Sequence, residues 1–178
     1  ILLKEGFITN SNNLPYLENY PVRDAIEQRL GTPIILENDA NAAALGEKWM
    51  GAGRDVDDLV LLTLGTGVGG GLILDGKIWH GFLGMAAELG HINVLENGAP
   101  CGCGSHGCLE TEASATAIVR MAMDVVGGDP VGALARAAQS GEQLTAELVF
   151  DCVEAGDAGA QLIYKGVGNY LGIALAGL

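Results

Sequence analysis

The run LVLLTLGTGVGGGLILDGKIWHG (59–81) constrains the fold more than any other stretch of this chain. Its apolar segments LVLLTLG, VGGGLILDG and KIWHG follow one another with almost nothing between them. Such spacing leaves room for turns but not for crossover helices, so the segments read as three strands of a meander. Asp75-Gly76 is a two-residue hairpin signature. The earlier turn is different, because LTLGTGVGGG (62–71) packs five glycines into seven residues. It lacks both the Gly-Lys-Ser/Thr ending of a P-loop and the strand-to-helix setting of GxGxxG. A bare turn of this kind either curves the sheet or turns its N–H groups toward an anion, with the Thr66 hydroxyl beside them. No Lys or Arg lies between Arg54 and Lys77, so a phosphate here would need Mg²⁺ to balance its charge.

Helical patterning flanks the meander. PVRDAIEQRL (21–30) has Pro21 for the first turn, Gly31 for the C-terminal cap, and Val22, Ala25, Ile26 and Leu30 on one face. TPIILEN (32–38) predicts a short strand, and Ala40 to Trp49 a helix that Gly51 and Gly53 end. Phe82 to Gly107 reads as loop, and from Glu112 onward the pattern predicts helices over 112–126, 130–139, 145–155 and 158–178. Strands followed by helices, after a helix–strand–helix piece, give a mixed α/β chain. Trp49 and Trp79 read as core or cleft wall, and Cys152 as a small buried hydrophobe. His80 and His106 read as structural.

With 178 residues, 49% of them hydrophobic, the chain can fill the core of one domain or parts of two. A net charge of −13 repels phosphate backbones and argues against a nucleic-acid partner. No segment has the length and apolarity to cross a membrane, and the opening ILLKEGFITN has no basic start or cleavage site. The expectation is a soluble, cytoplasmic chain. It lacks an initiator Met and stops inside the apolar pattern GNYLGIALAGL, which reads as an internal piece of something longer.

Two clusters carry chemistry. In IILENDANAAALG (34–46) a strand-like run meets an alanine-rich helix at Asn38-Asp39-Ala40-Asn41. Asn and Asp are good helix N-caps; Asp39 could equally be a base held at the floor of a cleft. In CGCGSHGCLE (101–110), Cys101, Cys103 and Cys108 fall within eight residues. Close cysteines in such a chain point to a metal before a disulfide, and three thiolates leave one position of a tetrahedral Zn²⁺ to fill. His106 lies inside the loop and His91 ten residues before Cys101. Spacing does not separate them, although a ligand from outside the loop would clamp two segments together.

Taken in order, ENDANAAALGE (37–47), LGTGVGGGLILDGKIWHG (64–81), GMAAELGHI (84–92) and CGCGSHGCLE (101–110) closely resemble the ROK family of sugar kinases and sugar-responsive repressors. The resemblance implies an α/β, actin-like hexokinase (ribonuclease H-like) fold of two domains with the active site between them. Residues 1–53 would then be the C-terminal part of the first, smaller domain. Residues 54–178 would be most of the second, with a zinc loop at 91–108. By the same carry-over Asp39 is the catalytic base, and Asn38, Glu88, His91 and Glu110 bind sugar hydroxyls, with Asn13 a weaker match. Thr66 and Gly67 face the ATP phosphates, and His91 joins Cys101, Cys103 and Cys108 on a structural Zn²⁺. The chain departs from the family at Ala87, where Gly is usual, and it lacks the DxGGT-type phosphate loop and the glycine-rich adenosine segment.

The implied activity is ATP- and Mg²⁺-dependent phosphorylation of a hexose, glucose favoured, by a homodimer. Fructose, mannose and N-acetylmannosamine are alternatives within that class. From a different class, a sugar-sensing module of a ROK repressor would explain the same ligands without catalysis. A zinc-stapled structural domain would explain the cysteines but leaves Asp39, Glu88 and Glu110 without a role.

Overall fold

The computed structural model describes residues 5–8, 15–128 and 131–178. The chain divides into two compact units, Ile1–Leu61 with Gly71–Ala87, and Leu62–Gly70 with Glu88–Leu178. Strands β1 (Leu59–Leu64), β2 (Val68–Leu74) and β3 (Lys77–Ile78) form a sheet in the order β1-β2-β3, which is the meander read from the sequence. β2 and β3 are antiparallel, with Ile73 opposite Ile78 and Leu74 opposite Lys77. Asp75 and Gly76 link them at φ 51° and 72°, the left-handed pair that a type I′ hairpin requires.

In the first unit, α1 (Val22–Leu30) starts after Pro21 and ends at Gly31, whose left-handed backbone donates its N–H to Glu27 O. No residue of its apolar stripe is fully buried: Val22 and Ala25 are half-buried and Leu30 is 64% exposed. The strand expected over 32–38 does not form. A strand exists only through its ladder, and among the described residues no strand pairs with this segment. Instead the Ile34 N–H is taken by the Glu27 carboxylate at 2.9 Å. Helix α2 (Asp39–Met50) follows, capped by Asn38, and buries Ala40, Asn41 and Ala44. Trp49, near its end, is 78% exposed, and Trp79 is 54% exposed, so neither is a core residue here. Lys48 reaches the connector after α2, bonding to the Val56 carbonyl, and the Asp57 carbonyl accepts the Gly76 N–H at 2.8 Å.

The second unit is helical beyond its short strand ends: α3 (Leu109–Ala113), α4 (Ala115–Gly128), α5 (Ala133–Gln139), α6 (Ala146–Glu154) and α7 (Ala158–Ala176). Ala160, Ile163, Val167 and Ala174 repeat on one face of α7 and meet Val149 and Cys152 of α6, Ile118 and Ala122 of α4, and Leu109 of α3. Leu109, Leu134 and Val149 are at most 1% exposed; each such side chain contributes about 1.5–3 kcal/mol through burial. Cys152 is 5% exposed, as its helical spacing suggested, and burial raises its thiol pKa. Asp157 caps two helices at once, accepting the Ala160 N–H of α7 at 2.9 Å and the Leu134 N–H of α5 at 3.1 Å. Burial acts to raise its pKa, but these amide bonds outweigh it and hold the carboxyl below the ordinary Asp range.

Candidate functional site

In the first unit the polar joint lies ahead of α2. Asn38 has extended backbone, and its Oδ1 accepts the N–H groups of Ala40 at 2.9 Å and Asn41 at 3.2 Å. Its oxygen is therefore committed to the cap while its amide NH₂ is left for another acceptor. Asp39 is exposed; one of its oxygens accepts the Ala40 N–H at 2.9 Å, and the other has no partner among the described residues. A carboxylate at the first turn of a twelve-residue helix is where the helix dipole favours negative charge.

Glu37 and His80 hold this joint; His80 reads as structural from the sequence, and Glu37 has no assigned role there. Glu37 Oε1 accepts both the Asn38 N–H at 2.9 Å and the Asn41 Nδ2 at 3.0 Å, and Oε2 lies 2.7 Å from His80 Nε2. Partial burial acts to raise the Glu37 pKa, but the Asn41, His80 and Asn38 hydrogen bonds lower it overall. Glu37 stands next to Asn38, yet its histidine partner lies 43 residues away. Only the folded hairpin brings the two together.

The second unit holds the cysteine loop. Its ends are zipped by the bridges Asn93 to Cys108 and Pro100 to His106, and the Leu109 N–H donates to Ile92 O at 2.8 Å. Inside it, one ligand atom from each of His91, Cys101, Cys103 and Cys108 lies within 4.8 Å of every other. Cys103 and Cys108 Sγ are 3.7 Å apart, and Cys101 Sγ is 3.5 Å from His91 Nδ1. Zn–S and Zn–N bonds of about 2.3 and 2.0–2.1 Å give tetrahedral edges of roughly 3.5–3.8 Å, so the four groups fit a tetrahedral metal. His106 is not in this group. All three cysteines are free thiols. Burial and the neighbouring sulfurs push the Cys108 thiol up to about 12, whereas the Ser105 N–H and Cys101 lower that of exposed Cys103.

Glu112 also escaped the sequence reading. Its carboxylate is 4% exposed, accepts the Ala99 N–H at 2.9 Å and lies 3.6 Å from Arg120, tying the loop to α3 and α4. Its signal is faint, one more acid in the run LETEA.

In the same unit the glycine turn meets α3. Glu110 Oε2 accepts the Val68 N–H at 3.1 Å, and it lies where a side chain at Gly67 would stand, 2.2 Å from the position of a Cβ. The Gly65 N–H turns back to Gly67 O, while Thr66 O accepts the Thr116 hydroxyl at 2.8 Å. The N–H groups of Thr66 and Gly67 are left without a partner among the described residues. Glu88 opens a short 3-10 turn, Leu89–His91, and its exposed carboxylate has no partner among the described residues. Gly90 in that turn packs on β2 so closely that a Cβ would lie 2.0 Å from Val68 O. Ala87 holds φ 68°, the left-handed conformation that glycine adopts freely. Asn13 lies outside the described residues.

Comparison with known proteins gives the chain a family. The ROK family model covers residues 1–178. The glucokinase of Halalkalibacterium halodurans is 46% identical over 179 residues, covering 100% of this chain and 54% of that protein. A ROK family glucokinase from Streptomyces griseus, solved with glucose and AMPPNP, superimposes with a TM-score of 0.82 at 38% identity, over 97% of this chain and 56% of that one. A ROK family transcriptional regulator, a homolog of the E. coli MLC protein, superimposes with a TM-score of 0.87 at 32% identity, over 99% of this chain and 43% of that one. The chain spans about half the length of these relatives. Its fold is the α/β, actin-like hexokinase fold that the motifs implied. On a match that runs from the first residue to the last, the chain belongs to the ROK family.

Proposed function

We propose that this chain carries the sugar-binding and base-bearing part of an ATP-dependent hexose kinase acting on glucose. The observation that carries the reading is the state of Asp39: exposed, fixed at the start of α2, with one oxygen on the Ala40 N–H and the other free of partners among the described residues. The 46% identity to a glucokinase supports it.

A sugar hydroxyl is a poor nucleophile. As its oxygen bonds to the terminal phosphorus of ATP, the bond from that phosphorus to the bridging oxygen breaks and ADP leaves. Asp39 accepts the hydroxyl proton, help worth about 10²–10⁴ in rate. The Asn38 amide NH₂, Glu88, His91 and Glu110 offer the donors and acceptors that a polyol needs. The unpartnered N–H groups of Thr66 and Gly67 are suited to phosphate oxygens, with Mg²⁺ supplying the positive charge that the turn lacks. His91, Cys101, Cys103 and Cys108 would hold Zn²⁺ as a structural ion, since four protein ligands fill its coordination shell.

The test is phosphorylation of a hexose panel by the full-length protein with ATP-Mg²⁺, beside Asp39→Asn. Glucose turnover that falls by about 10² or more in the variant supports the reading. The likeness to a ROK transcriptional regulator favours one rival, a sugar sensor. Sugar binding without turnover on any hexose would select the sensor.

A further inference from the structure

We infer that Glu37 and His80 form a positioning pair that fixes where Asn38 and Asp39 stand. The inference rests on the reading of Asp39 as the base. Among the described residues, little else holds the joint from the N-terminal side. Among the described residues, 33–38 form no ladder and the Asp39 side chain is tied only to the next N–H in the chain. Its position therefore follows from the backbone of 37–41.

That backbone is anchored through Glu37. One carboxylate oxygen grips the Asn38 N–H and the Asn41 amide together, and the other takes His80. His80 is in turn fixed to the hairpin: the preceding Trp79 N–H donates to Leu72 O at 2.8 Å, and His80 O accepts the Ala86 N–H at 3.1 Å. A continuous chain of hydrogen bonds thus runs from β2 through His80 and Glu37 to the first turn of α2. Asn41 makes the arrangement brittle. It is 3% exposed, its Oδ1 has no partner among the described residues, and its NH₂ depends on Glu37. Releasing Glu37 would leave a buried amide unsatisfied at both ends, which favours rearrangement of the turn that carries Asp39. The Glu37 side chain is 16% exposed, so the pair is partly shielded from water.

Initial rates in the full-length protein, with excess enzyme for the slow variants, test the inference. His80→Ala should lower kcat about tenfold, since misplacement by about 1 Å can cost up to 10², and KM for ATP should hold. His80→Gln, whose amide can donate to Glu37, should recover most of that loss. In the Asp39→Asn background, His80→Ala should cost little more, because the two act as one unit. Wild-type kcat in His80→Ala, or a full multiplicative loss on top of Asp39→Asn, overturns the inference while leaving the base reading intact. Wild-type turnover in Asp39→Asn overturns the base reading itself. His80→Gln no better than His80→Ala, with the thermal midpoint of both lowered, reduces the pair to a purely structural contact and also overturns it.

Discussion

The joint at 37–41 and the loop at 91–108 both present polar side chains of the kind that bind a polyol, but they are held in different ways. At the joint, order comes from one carboxylate shared among a backbone N–H, a buried amide and an imidazole. In the loop it comes from three sulfurs and an imidazole converging on one point, with Glu112 and two isolated bridges behind them. Hydrogen-bonded order is cheap to assemble and fails when any one partner is lost. Metal-type order needs an ion but then depends little on the surrounding core, which suits a segment whose residues are mostly exposed.

The largest expected effect separates the two directly. Purified protein should carry one zinc per chain by elemental analysis. Stripping it, or making Cys108→Ser, should remove a ligand set whose binding free energy is about 10–16 kcal/mol. The thermal midpoint of the second unit should then fall steeply and residues 91–108 become protease-sensitive. An unchanged midpoint in zinc-free protein would erase the contrast drawn above.

Asp157 offers an intermediate case, a carboxylate staple inside the same unit as the cysteine loop. Asp157→Ala removes two helix caps and should cost roughly 2–4 kcal/mol by urea unfolding. Its sign with pH is defined. The folded pKa is depressed, so the stabilisation is complete above the unfolded value of about 3.9 and is lost as pH falls through the folded one. The variant should therefore show a flatter acid limb than the parent, and identical acid limbs would refute the capping account.

The smallest effect sits in the chain between the joint and the loop. Ala87 holds left-handed backbone at φ 68°, so Ala87→Gly should relieve strain of about 1–2 kcal/mol, offset by about 0.4–1 kcal/mol of added unfolded-chain entropy. A small rise in the urea midpoint is expected, and a fall would mean the alanine methyl group has a packing role.

Much of this was legible from neighbours in the sequence. The meander, its Asp75-Gly76 turn, the helices and the cysteine cluster all depend on residues a few positions apart, where periodicity and turn chemistry act. TPIILEN failed because strand formation is not local: its composition is β-prone, but it pairs with nothing among the described residues. Of the two readings of Trp49, core or cleft wall, its exposure removes the first, since a large aromatic on a helix face is buried only if something packs there. The Glu37–His80 contact joins two separate motifs 43 residues apart, so their pairing shows only in the fold. Spacing does not separate His91 from His106; in the fold, His91 lies with the three cysteines and His106 does not.

Asp157 has one more consequence. It accepts amides from residues 23 apart on one side and three apart on the other, so α5 gains its cap only once the start of α7 is in place. The two helices should then open and close as one cooperative unit, with the first-turn amides of Leu134 and Ala160 exchanging their hydrogens at a common rate. One side chain would thus set the grain size at which this half of the chain breathes.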